Sequence, residues 1–365
     1  MKAVVFYGQN DIRLVDDWPE PPPPKDGEVK IEVSWAGICG TDIEDWQYGT
    51  GITPVDEPHP LTGRMAPLVL GHEFSGRVAE LGPGVNGFDI GQPVAVEILR
   101  FCGECYWCQR HDFALCTQMA AIGQQDDGGL APYVNIPAFN LFPLPEGGRE
   151  DLAALAEPVA VMVRAVRKGR IQVGDRVAVI GAGMIGLAGQ EVAFATGASE
   201  VYMLAHGGHR AEVSAELGAT HVFDTREPTW EEEYWDRTHG LGVDLVLECG
   251  GNVGAVVQAL QIVRRGGRVV LVSVLHGTVP VDPLDLMLSE KELIGSVAHV
   301  YDEDFKWAVQ YLMDGRVNGE SIITGRIKLD DTLGMGFNEL LRNRNHIKVL
   351  VTPHDDWVTD SRSDV

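Results

Sequence analysis

Apolar and polar residues alternate in short runs through the first third of the chain. EVKIEVSWAGI (28–38), EFSGRVAELG (73–82) and GQPVAVEI (91–98) have this pattern, and Gly and Pro separate them. Such punctuation predicts short strands in a β-rich domain over residues 1–150. Near residue 151 the period changes. EDLAALAEPVAVMVRAVRKG (150–169) carries helical spacing, and RVAVIGAGMIG (176–186) then opens a series of β-α units. Further strands are predicted at EVYMLA (200–205), HVFD (221–224), VDLVLEC (243–249), GRVVLVSV (267–274) and ELIGSVA (292–298). The fold class is α/β, with a doubly wound parallel sheet over residues 151–300. From 301 the pattern gives a helix in DEDFKWAVQYLMDGRV, a strand in ITGRIKL, a helix near LGMGFNELLRN and a last strand in HIKVLVT; DDWVTDSRSDV (355–365) reads as a frayed end.

Composition narrows the function classes. The 365 residues are 45% hydrophobic and 22% charged, a globular balance with room for two cores. Against 29 Lys plus Arg stand 53 Asp plus Glu, a net charge of −24 that repels phosphate backbones and anionic lipid. Nucleic acid and membrane are therefore not expected as partners. The N-terminal KAVVFY lacks the basic and long apolar regions of a signal peptide, so a cytoplasmic location is expected. The most apolar region, 177–198, is broken by glycines, Gln190 and Glu191 and does not read as a membrane span.

Chemistry concentrates in three places. Cys102, Cys105, Cys108 and Cys116 follow the spacing C-x2-C-x2-C-x7-C, which lets four thiolates converge on one tetrahedral ion. A four-thiolate site has no open position, so this zinc is expected to brace the 102–116 loop. Gly181, Gly183 and Gly186 form G-x-G-x-x-G between a strand and a helix, with Met184 and Ile185 inside the turn. That context marks a dinucleotide fingerprint, in which pyrophosphate meets backbone N–H groups at the helix N-terminus. About 20 residues on, an NAD site places a carboxylate for the ribose 2′-OH. Here that place falls near Ala205, followed by His206, His209 and Arg210, so NADP is preferred over NAD. Finally, Cys39, His72, Glu73 and Glu157 supply a thiolate, an imidazole and carboxylates, a donor set for a catalytic zinc with an open position.

These segments, GICGTD, LGHEFSGRV, the four-cysteine loop, AEPVAV, VAVIGAGMIGL, AELGAT and DLVLECGG, stand in one order along nearly the whole chain. In that order the chain resembles the zinc-dependent medium-chain alcohol dehydrogenases. The resemblance implies a GroES-like catalytic domain from residues 1–150 and 301–365, a Rossmann domain over 151–300, and an active site between them. AEPVAV is similar to the polyol, butanediol and threonine dehydrogenase branch, and DEPHPLTGRMAPLVLGHEFSG (56–76) to butanediol dehydrogenases. The implied metals are one catalytic zinc on Cys39, His72 and either Glu73 or Glu157, and one structural zinc. Of the two carboxylates one would bind directly and the other through water or from behind the directly bound ligands.

The implied reaction interconverts a secondary alcohol or vicinal diol with its ketone by hydride transfer. Thr41 matches the hydroxyl residue that passes the alcohol proton on; its alternative is a turn hydroxyl. Glu44 stands where many relatives carry a relay histidine, and serves the relay or lines the substrate mouth, near Trp46 and Tyr48. Relatives are commonly homodimers or homotetramers. Polyol, sugar or L-threonine oxidation stays open, and more remotely a zinc-independent enone reductase or a non-catalytic dinucleotide-binding protein; the metal donor sets weigh against these last two.

Overall fold

A computed structural model describes residues 1–358. The chain divides into two compact units: Met1–Glu157 with Val300–Met313 and Ile323–Val365, and Pro158–His299 with Asp314–Ile322. Residues 151–157 and 314–322 thus fall on the opposite sides of the boundaries read from sequence. Local bonds explain both placements. Arg326 Nη2 donates to Asp151 Oδ2 at 2.7 Å, and the N–H of Asn318 donates to Glu191 at 2.9 Å.

The first unit is built on a seven-stranded sheet whose centre is the strand Glu28–Gly37. Val29, Ile31, Val33 and Trp35 alternate along it and are all buried, as the period-2 pattern predicts. The strand Glu73–Leu81 pairs antiparallel on one side and Lys348–Thr352 on the other. Gly37 faces Glu73 in one register and Leu350 in the other. This lattice brings residues 37–39, 72–73 and 348 together at one sheet end. A separate three-stranded sheet orders Asp11–Val15, Ala3–Gly8 and Leu68–Val69.

In the second unit six strands are parallel throughout. Their spatial order is His221–Asp224, Glu200–Ala205, Arg176–Ile180, Val243–Glu248, Val263–Leu271 and Glu292–Gly295. Numbered along the chain this is 3-2-1-4-5-6, the doubly wound dinucleotide-binding order. Ala178, Leu204, Phe223, Tyr234 and Val246 fill a core beside the sheet.

The predicted helix over 150–169 is broken into Glu150–Ala153 and Ala156–Lys168. The segment after 301 begins with a π-helical turn, Tyr301–Phe305, before the helix Lys306–Met313. Of the end expected to fray, Asp355–Trp357 forms a 3-10 turn in which Trp357 stacks on His354 at 4.4 Å and meets Trp35 at 6.1 Å. Residues 359–365 of that expectation lie outside the described residues. Among the described residues no helix is long and apolar enough to cross a membrane.

Candidate active site

Cys39 follows the central strand by two residues and is the N-cap of the helix Gly40–Tyr48. Its backbone N–H donates to Asp42 Oδ2 at 3.1 Å, which fixes the turn and satisfies a helix-end donor. His72 immediately precedes the strand that starts at Glu73. Ligand atoms of Cys39, His72 and Glu73 all lie within 4.8 Å of one another, with His72 and Glu73 buried.

Around this triad stand groups that sequence reading had missed or assigned differently. Asp42, whose Oδ2 holds the turn, also puts Oδ1 3.2 Å from His72 Nδ1, so it orients the ring and leaves Nε2 toward Cys39 and Thr41. Burial pulls the His72 imidazole down, but the charges of Asp42 and Cys39 outweigh it and raise its pKa well above 6.5. A field that stabilises a proton there also stabilises a metal cation.

Lys348, from the neighbouring strand, is the second such group. Its ammonium donates to both carboxylate oxygens of Glu73, at 2.7 and 2.6 Å, and to the carbonyl of Ile38 at 3.0 Å. Burial opposes the charge on Lys348, yet Glu73, Cys39 and Glu157 raise its pKa. Each Glu73 oxygen keeps a second acceptor position, so the pair does not consume its capacity as a ligand. Gly37 makes room for it: a Cβ there would stand 2.1 Å from Glu73 Oε2. Glu157, at the start of the helix Ala156–Lys168, is buried and acts on Lys348 electrostatically, but is not part of the Cys39, His72 and Glu73 cluster.

Thr41 Oγ1 lies 3.2 Å from Cys39 Sγ and 3.4 Å from His72 Nε2, and accepts from Gln124 Nε2 at 3.3 Å. Glu44 is half-buried one turn further along the same helix. Trp46 packs edge-on against buried Phe337 at 5.8 Å, which gives it a packing role, while Tyr48 is exposed. Asp45 is committed to the following loop, accepting from Thr50, Gly51 and Thr53.

The four-cysteine loop closes on itself. Cys105 and Cys108 sulfurs are 3.5 Å apart, Cys102 and Cys116 3.5 Å, and Cys102 and Cys108 3.9 Å. Four thiolates at ordinary zinc–sulfur distances have edges of about 3.8 Å, so the donor set fits that ion. Backbone N–H groups of Cys108 and Thr117 bring Cys105 down to about 6, whereas burial pushes Cys108 up to about 12. No cysteine of the chain is in a disulfide.

In the second unit Gly183 is the N-cap of the helix Met184–Thr196. A Cβ on Gly186 would stand 1.8 Å from the carbonyl oxygen of Gly181, which itself has φ +101°. Among the described residues only Arg210 Nη1, at 3.9 Å, approaches the corresponding position on Gly183. The turn is therefore closed where the chain packs and open where a pyrophosphate would approach. The strand ending at Ala205 carries no terminal carboxylate, and His206 after it is exposed.

Comparison with known proteins agrees with this architecture. Residues 25–146 match the family model of the alcohol dehydrogenase GroES-like domain, and residues 185–314 that of zinc-binding dehydrogenases. The chain is 35% identical over 357 residues to (R,R)-butanediol dehydrogenase of Bacillus subtilis, covering 97% of this chain and 100% of the relative. The crystal structure of 2R,3R-butanediol dehydrogenase from Bacillus subtilis superimposes with a TM-score of 0.89 at 34% identity, over 97% of this chain and 99% of that one. A zinc-binding dehydrogenase structure from Sinorhizobium meliloti 1021, bound to NADP, gives 0.86 at 29% identity, over 96% and 99%. With a thiolate, imidazole and carboxylate gathered in a GroES-like unit and a glycine turn in a doubly wound one, the chain belongs to the zinc-binding alcohol dehydrogenases and is an enzyme of that family.

Proposed function

We propose that the protein interconverts a secondary alcohol or vicinal diol, of the butanediol type, with the corresponding ketone, using NAD(P) with a preference for NADP. The observation that carries this reading is the convergence of Cys39, His72 and Glu73 within 4.8 Å beside the Thr41 hydroxyl. These three residues would hold one zinc, with Glu157 assigned to the surrounding electrostatics, and Cys102, Cys105, Cys108 and Cys116 a second. Bound zinc supplies Lewis acidity toward the alcohol or ketone oxygen, and the nicotinamide takes or gives the hydride.

The chain's own residues do the rest. Asp42 holds His72 in one ring orientation, and Lys348 holds the Glu73 carboxylate in place. Thr41 Oγ1 accepts a hydrogen bond from Gln124 and donates its own proton to Cys39 Sγ at 3.2 Å, a proton it would turn to exchange with the substrate hydroxyl. Glu44 continues that helix face and is assigned to the outer end of the proton route. The turn at Gly181, Gly183, Met184, Ile185 and Gly186 would take the pyrophosphate. Ala205, His206 and Arg210 would surround the adenosine ribose, a setting that supports NADP because no acid ends that strand.

A cytoplasmic homo-oligomer belongs to the same reading. The cysteines are all unpaired, which suits a reducing compartment. The edge strand Glu292–Gly295 presents exposed Leu293 near a helix, Pro283–Ser289, with exposed Leu284, Met287 and Leu288, a surface suited to a second copy.

Metal analysis and an alcohol panel test the function together. Two zinc ions per chain and turnover of vicinal diols with NADP above NAD are expected. Fewer than one zinc per chain, or activity confined to polyol sugars or L-threonine, would overturn the metal or the substrate assignment respectively.

A further inference from the structure

The loop after Ala205 is overlaid by a residue from the turn that follows the next strand, His221–Asp224. A Cβ on Gly207 would stand 2.2 Å from Arg226 Nη2 and 2.5 Å from Asp224 Oδ2, so the guanidinium lies flush on the backbone of this loop. Thr225 ties the two strand ends together, its N–H donating to the carbonyl of Ala205 at 2.8 Å. Arg226 Nε donates to Asp224 Oδ1 at 2.9 Å, and Nη2 to Oδ2 at 2.5 Å. The Arg226 side chain remains 62% exposed, so it can turn away without unpacking anything.

We propose that Arg226 reads the 2′-phosphate of NADP by exchanging its pairing with Asp224 for that phosphate. The inference rests on the NADP reading above and adds a residue, and a competing acid, that lie beyond the strand end where such determinants are ordinarily sought.

The charges around the loop make the exchange specific. Arg226 hydrogen bonds, from side chain and backbone, and to a lesser degree the charge of His206, together hold Asp224 down to about 2. Asp224 is thus a fixed anion. It occupies Arg226 when the ribose carries only a hydroxyl, and repels a phosphate that does not recruit the guanidinium. An exposed ion pair contributes little to stability, so replacing one anion with a doubly charged one is favourable. Arg210 completes the path, with Nη1 3.9 Å from the Cβ position of Gly183. One cation lies by the pyrophosphate turn and the other by the ribose loop. His209 is drawn the other way, toward Glu212 at 3.7 Å.

Binding of 2′,5′-ADP and 5′-AMP to the zinc-loaded full-length protein, by titration calorimetry, tests this without turnover. The wild type is expected to bind 2′,5′-ADP about ten-fold or more tightly than 5′-AMP. Arg226→Ala should weaken 2′,5′-ADP about ten-fold and flatten its salt dependence, leaving 5′-AMP within about two-fold. Asp224→Asn, which frees the guanidinium, should tighten 2′,5′-ADP. A wild type with no preference between the fragments overturns the NADP reading and this one together. A preference that survives Arg226→Ala overturns only this proposal and returns the phosphate to His206 and Arg210. Weaker 2′,5′-ADP binding by Asp224→Asn would also overturn the exchange, showing that the pair merely shapes the loop. Matching melting temperatures for the three proteins show that binding, not folding, is being read.

Discussion

Glu191 gives the second unit a pH-dependent stability that a single substitution should remove. It lies on the helix Met184–Thr196 and is 8% exposed. One oxygen accepts from the Asn318 N–H at 2.9 Å, and the other, Oε2, is buried with no hydrogen-bond partner among the described residues. Burial pushes the carboxyl from 4.5 up to about 7, against a smaller downward pull from the Asn318 N–H. Between those values the folded protein holds a proton that the unfolded chain has released. Stability is therefore lost as pH rises from about 4.5 through about 7, at up to about 1.4 kcal/mol per pH unit. From pH 5.5 upward the loss amounts to about 2 kcal/mol. Glu191→Gln keeps the acceptor for Asn318 and cannot ionise. Any packing cost it carries is independent of pH, so the slope of the difference carries the information. Urea unfolding of wild type and variant at matched zinc, from pH 5.5 to 8.5, should show the variant gaining about 2 kcal/mol relative to wild type, with most of the gain complete near pH 7.5. A difference that stays constant across the range would refute the argument, because every other titrating group is common to both proteins.

Three further outcomes follow from the metal sites. Asp42→Asn should lower zinc affinity or activity by about 10- to 100-fold while leaving the helix in place, measured by chelator competition and circular dichroism. Thr41→Ala should lower kcat by about 100-fold or more with zinc content unchanged, and Thr41→Ser should restore most of it. Cys105→Ser should reduce zinc by one equivalent per chain and lower the melting temperature, with its effect on protein half-life exceeding that on kcat of the surviving folded enzyme.

The local patterns in the sequence account for the parallel sheet and the glycine turn because each depends on near neighbours. Strand, turn and helix follow one another within 176–196, and four cysteines within fifteen positions need only one loop to meet. The first metal site was legible in part. Cys39 and His72 announce themselves by residue type, but two carboxylates competed for one place, and only strand register sets Glu73 opposite Gly37. Lys348 left a signal that was available: a lone cation within HIKVLVT, an apolar strand, requires a buried anion. Its partner is 275 positions away, a separation no periodicity reports. Gln124 left no comparable signal, since its bond to Thr41 depends on how a glycine-rich loop is folded. Arg226 gives no signal at the strand end where a ribose carboxylate is expected, because the loop there is overlaid from the turn after the next strand.

The Glu73–Lys348 pair also bears on the order in which the enzyme is made. Cys39, His72 and Glu73 leave the ribosome early, but the cation that neutralises Glu73 arrives with the last strand, after the whole dinucleotide-binding unit has been synthesised. Until then Glu73 lacks its buried counter-charge and the central sheet lacks a neighbour along Gly37. A nascent chain can offer zinc its thiolate and imidazole, yet the carboxylate takes its final position only once Lys348 is in place, so maturation of the metal site waits for the dinucleotide-binding unit that is made between them.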